Sequence, residues 1–189
     1  MYNDVITCKE DLIMNAGRIV PDISLNSLAE VYKRRVLDII TRLQNKTVVF
    51  DYDGTMTEVK YAKDRLLPCK DDDVYEYSKS NNIYANVYSL KTMQYIINEL
   101  NSDDVWVLTV SQDTVVENKT KAIKQAFPEI KNSQIMHCHN AKEKMAILDD
   151  IHSKTGKRIV FLEDTLSTLL LAEETFDFIE GVHISSLLP

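Results

Sequence analysis

Glycine and proline are scarce, four of each in 189 residues. So small a supply excludes long flexible or Pro-rich linkers, and there is no internal repeat or low-complexity tract to build an array. Cysteine is rarer still. Cys8, Cys69 and Cys138 are odd in number, widely spread and free of any CxxC pairing. That pattern argues against a disulfide framework and for a reducing compartment. No apolar run approaches the roughly 20 residues a membrane-spanning helix needs. The opening stretch MYNDVITCKEDLIM is acidic and polar, unlike a secretory signal. Excess positive charge is also missing: the net charge is -7, which removes generic attraction to nucleic acid or anionic membrane. These absences predict a cytoplasmic protein with neither nucleic acid nor membrane as partner.

What is present reads as one α/β domain spanning residues 1–189, long enough to bury a sizeable core. Within the first 23 residues a short helix is expected over 9–17, with Pro21 as its stop. Residues 25–43 predict an amphipathic helix, because Leu25, Leu28, Tyr32, Val36, Ile39, Ile40 and Leu43 recur at spacings of three and four. Lys33, Arg34 and Arg35 fall off that stripe and read as a solvated face. From Thr47 short β-rich runs alternate with helical patterns. Strands are expected at 47–50, 105–110, 134–136 and 158–162, with one more in 176–185. Helices are expected at 90–100, 114–126, 141–153 and 166–174, the second opened by a Thr114–Glu117 capping box. Near-continuous apolar strands alternating with helices imply a Rossmann-like three-layer α/β/α fold with a mostly parallel sheet. Residues 57–88, with five tyrosines and Asp71-Asp72-Asp73, break the alternation and read as a small insertion over the sheet's carboxyl edge.

The stretch VVFDYDGTMTE carries the chemistry. Val48, Val49 and Phe50 lead directly into Asp51, with Asp53 two residues on and Tyr52 expected on the opposite side. Two carboxylates so close repel unless a proton or a cation relieves them, and Mg²⁺ suits oxygen donors. Gly54 permits a sharp turn, and Thr55 offers a hydroxyl and an N–H to an anion. Asp51 is then a nucleophile toward phosphorus, and Asp53 a general acid and base.

Later strand ends supply the remaining parts. Thr109 ends the second strand with a hydroxyl for a phosphoryl oxygen, and Ser111 is its rival. Lys144, just inside a helix, can neutralise Asp51 and phosphate; Lys142 is the alternative. Glu163 and Asp164 close a fourth strand as further metal ligands, Asp164 directly and Glu163 directly or through water. His137 and His139 would share a side of an extended chain, but four zinc ligands are not evident. Asp71–Asp73 reads as a solvated loop, and Trp106 as a strand residue in or near the core.

In this order the motifs resemble the haloacid dehalogenase-like hydrolase superfamily from Thr47 onward. Asp51, Asp53, Gly54 and Thr55 match its first motif, Thr109 its second, Lys144 its third, and Glu163 with Asp164 its fourth. The resemblance implies Mg²⁺ dependence, an aspartyl-phosphate intermediate and a metal ligand in the backbone carbonyl of Asp53. A second acid at Asp53 is similar to the phosphatase branch; dehalogenases lack it, and transport ATPases carry lysine there. Glu163 departs from the pattern, where Asp or Gly is commoner. The 57–88 insertion is the sole match for the family's substrate-selecting cap. The expected activity is phosphomonoester hydrolysis on a phosphorylated substrate of open identity. A phosphotransferase or phosphomutase would share Asp51 and Asp53 but use an organic acceptor. A receiver-like domain usually splits its acids between strands, which disfavours it, and a catalytically silent binding domain would not need the acids intact. Residues 1–46 form an N-terminal helical extension with packing or homodimer formation as expected roles.

Overall fold

Five short apolar runs pair side by side in a computed structural model that describes residues 25–58, 78–85 and 87–187. In chain order the elements are α1 (Leu25–Leu43), β1 (Thr47–Phe50), α2 (Lys91–Asn98), β2 (Val105–Val110), α3 (Val116–Ala126), β3 (Ile135–Cys138), α4 (Ala141–Thr155), β4 (Ile159–Glu163), α5 (Leu166–Thr175) and β5 (Ile179–His183). All four strand pairings are parallel, in the spatial order β3-β2-β1-β4-β5. The chain therefore winds outward from β1 in both directions, and the crossovers reverse beside it. In open parallel sheets that point, at the carboxyl ends of the strands, is where ligands bind.

Side-chain alternation divides the core into two layers. Val48, Phe50, Val105, Val107, Val160 and Leu162 bury against α1, α2 and α3, through Val36, Ile40, Leu43, Met93, Ile96, Ile97 and Ile123. Val49, Leu108, Ile159 and Phe161 bury against α4 and α5, through Met145, Leu148, Ile151, Leu169 and Ala172. A sheet with both faces covered explains why every residue of β1 and β4 is buried, and why these strands are near-continuous apolar runs, Val48–Phe50 and Ile159–Leu162. Lys33, Arg34 and Arg35 are exposed on α1, as a solvated face requires.

Element ends differ from the pattern in informative ways. The third strand runs 135–138 rather than 134–136, because Gln134 belongs to a 3₁₀ turn and its amide donates to the Ser102 carbonyl at 2.7 Å. The Thr114–Glu117 capping box does not form. Helix α3 begins at Val116 behind Val115, which is buried and caps with no side chain, while Glu117 pairs with Lys121 at 2.6 Å. A side-chain N-cap occurs at α4 instead: the Asn140 side chain accepts from the Glu143 N–H at 3.0 Å, and Glu143 accepts from the N–H of His139, one residue ahead of the cap, at 2.8 Å. Gly156 closes that helix at φ +65°, in the left-handed region. The predicted 9–17 helix, Cys8, Cys69, Asp71–Asp73 and most of the 57–88 insertion lie outside the described residues.

Candidate active site

Strand parity decides which helix each polar side chain meets. Asp51 follows Phe50, which pairs with Leu162, and its N–H continues the ladder to the Leu162 carbonyl at 2.8 Å. One step further along β4 is Glu163. Both acids share the parity of Val49 and Phe161, so they face the α4 layer. There Lys144, in the first turn capped by Asn140, places its ammonium 2.7 Å from Asp51 Oδ1 and 2.5 Å from Glu163 Oε2. The three side chains are 4%, 7% and 2% exposed for Lys144, Asp51 and Glu163. Two of the lysine's three protons are used in these contacts, and Lys144 also lines the cavity above.

Thr109 has the parity of Val105 and Val107 and so faces the α3 layer. There its Oγ1 accepts from the buried ammonium of Lys119 at 2.9 Å. The same ammonium donates to the Val110 carbonyl at 2.6 Å and pairs with Asp53 Oδ2 at 2.5 Å. The expected common side for Asp51 and Asp53 therefore does not translate into common partners. The strand ends at Phe50, and the turn that follows, with Gly54 at φ +74°, carries Asp53 to Lys119 while Asp51 stays with Lys144. Tyr52 packs in the core of the α1–α3 layer, on the opposite side from Asp51 as alternation requires.

Asp51, Asp53, Thr109, Lys144, Glu163 and Asp164 together line one cavity of about 330 Å³ at the carboxyl ends of β1, β2 and β4. Ala141, Val110, Thr165 and Thr168 complete it. Gly54, Thr55, Ser111 and Lys142 do not line it. Ser111 Oγ is instead held at 2.8 Å by His137 Nδ1, and Lys142 is exposed on α4. Of each pair named from the sequence, Thr109 and Lys144 line the cavity and Ser111 and Lys142 do not. Gly54 shapes the turn, and Thr55 is buried with no hydrogen-bond partner for its hydroxyl among the described residues.

Ligand oxygens of Asp51, Glu163 and Asp164 lie within 4.8 Å of one another. An all-oxygen donor set of this kind fits a hard divalent cation. Among the described residues, four carboxyl groups and the ammoniums of Lys144 and Lys119 meet around the cavity. Burial raises the Asp51 carboxyl to about 7; Lys144 opposes this, while Glu163 and Asp53 add to it. Burial raises Glu163 as well. For Lys144 burial pulls downward, but Asp51 and Glu163 outweigh it and hold the ammonium well above the ordinary lysine range.

Among the described residues, the histidine pair gathers no third metal-type ligand. His137 has both ring nitrogens bound, to Ser111 and, at 2.8 Å, to Thr120, and burial and Lys119 lower its pKa. His139 faces Asp113 at 3.9 Å. Cys138 is buried, which raises its thiol to about 11. Trp106 is half-buried against the α4–α5 layer.

Lys119 is the site residue the sequence reading missed. Its signal is visible in retrospect: Val115, Lys119, Ile123 and Phe127 recur every fourth residue, and all are buried. A lysine on an apolar stripe is a buried cation in need of acceptors. A scan of protein-family models and a search of curated proteins each found no match to this chain.

Proposed function

We propose that this chain is a phosphomonoester hydrolase that works through an aspartyl-phosphate on Asp51. One observation carries the reading: Asp51, Glu163 and Asp164 converge with Lys144, Thr109 and Asp53 on a single cavity at the point where the strand order reverses. An Asp51 oxygen attacks phosphorus and the ester P–O bond breaks, its electron pair leaving with the alcohol oxygen, which takes a proton from Asp53. Water then attacks the phosphorus and gives a proton to Asp53; the bond to Asp51 breaks and its electrons return to the carboxylate.

The remaining groups bind and orient. Lys144 keeps one proton beyond its two carboxylate contacts for a phosphoryl oxygen. Thr109 accepts from Lys119, so its own proton is available to a second phosphoryl oxygen. Asp51, Asp164 and Glu163 would hold Mg²⁺, joined on the family resemblance by the Asp53 carbonyl. When bound, the cation supplies positive charge that keeps Asp51 anionic and shields it from the incoming phosphate.

The test is phosphate release from a panel of sugar phosphates, nucleotides, phospholipid headgroups and phosphopeptides with Mg²⁺, run beside Asp51→Asn. Release by the wild type and none by the variant is expected. Equal release by both would remove Asp51 from the nucleophile's role.

A further inference from the structure

We infer that Lys119 is a positioning residue for the acid–base step, an inference that rests on the phosphatase reading above. Lys119 is 1% exposed and is not part of the cavity wall, so it does not touch substrate. Its ammonium has three protons and three acceptors: Thr109 Oγ1 at 2.9 Å, the Val110 carbonyl at 2.6 Å and Asp53 Oδ2 at 2.5 Å. Of these three acceptors only Asp53 is an anion, so the buried ammonium takes its counter-charge from outside both α3 and β2. Asp53 lies beyond the last residue of β1, on a turn. Lys119 therefore joins that turn to the end of the neighbouring strand.

Two consequences follow for the chemistry. The Asp53 carboxylate is fixed through Oδ2, which also accepts from the Tyr84 hydroxyl at 3.4 Å; the Tyr84 ring stands 5.4 Å from the same ammonium. The Thr109 hydroxyl, accepting from Lys119, must donate elsewhere, and Thr109 lines the cavity. One buried cation thus sets the direction of both the proton donor and a phosphate-binding hydroxyl.

Proton donation matters most when the leaving group is a poor one, so the leaving-group dependence separates positioning from mere scaffolding. Wild type, Lys119→Met and Lys119→Gln are compared on 2,4-dinitrophenyl phosphate, which departs without a proton, and on phenyl and alkyl phosphates, which need one. Lys119→Met is expected to lose about 100-fold or more in kcat/KM, which reports the step that expels the leaving group, on the alkyl ester, toward the loss that removing a general acid causes. On the dinitrophenyl ester the expected loss is under about 10-fold. In an Asp53→Asn background, adding Lys119→Met is expected to cost under about threefold, because residues that act as a unit are not additive. Lys119→Gln, which keeps donors for Thr109 and the carbonyl but not the charge beside Asp53, is expected to show the same leaving-group dependence.

Equal losses in kcat/KM on all esters, or additivity with Asp53→Asn, would overturn the proposal. Near-ultraviolet circular dichroism reports folding, and failure of both variants to fold would make the lysine purely structural and overturn it too. A wild type inactive on every ester would instead remove the phosphatase reading itself, and this inference with it.

Discussion

Replacing Lys144 with methionine isolates the energetics at the centre of the site. The ammonium lies 2.7 Å from one buried carboxylate and 2.5 Å from another. At an effective dielectric of about 20, each contact is worth roughly 6 kcal/mol of Coulomb energy. Desolvating the three ions offsets several kcal/mol apiece. Methionine keeps most of the volume but leaves Asp51 and Glu163 buried and facing each other, so the net loss expected is about 3–5 kcal/mol. For a domain of this size that lowers Tm by roughly 6–20 °C. The loss has a definite pH dependence. A carboxyl whose folded pKa lies above its unfolded value is stabilising when protonated, and its contribution is lost as pH rises from the unfolded to the folded pKa. In the wild type Asp51 spans about 4 to about 7 in this way. Without Lys144 both acids move higher still, so the variant's deficit is largest at pH 8 and shrinks toward pH 5. Lys144 itself stays charged across that window, because its own pKa is raised. Urea unfolding at pH 5 and pH 8 measures both values, with an unchanged m-value as the two-state check. A deficit under about 1 kcal/mol at pH 8, or the same deficit at both pH values, would refute the reasoning, since one buried partner could not then be holding two acids.

Three further outcomes are expected. Thr109→Val leaves Lys119 short of one acceptor at a buried position, and should cost about 1–3 kcal/mol in thermal or urea unfolding along with at least a tenfold drop in phosphate release. Leu148→Ala, which empties a fully buried position on α4 beneath Lys144, should cost about 2–5 kcal/mol by the same unfolding assay. Glu180→Gln weakens the pairs with Arg42 and Lys46 at the β5 edge, but these are partly solvated, so the expected change is under about 1 kcal/mol.

The fold was legible because a sheet covered on both faces writes its strands as unbroken apolar runs; β1 and β2 begin and end where that pattern does. Helix starts were less legible. Thr114 and Glu117 have the spacing of a capping box, but burial of Val115 sets the start of α3 instead. Lys144 stood out from Lys142 only through the helical stripe of Met145, Leu148 and Ile151, which turns position 144 inward. Lys119 escaped notice because lysine is read by default as a solvated residue, although its four-residue spacing with Val115 and Ile123 marks it as inward. The separation of Asp51 and Asp53 onto different lysines was not legible. Alternation predicts sides only while the chain stays extended, and here it turns one residue after Phe50.

The most direct measurement is rapid acid quench of the wild type turning over a ³²P-labelled phosphomonoester with Mg²⁺, followed by mapping of the labelled peptide. The account predicts a single acid-stable, hydroxylamine-labile label on Asp51, absent from Asp51→Asn. Steady turnover with no labelled protein, or label on any other residue, would contradict it.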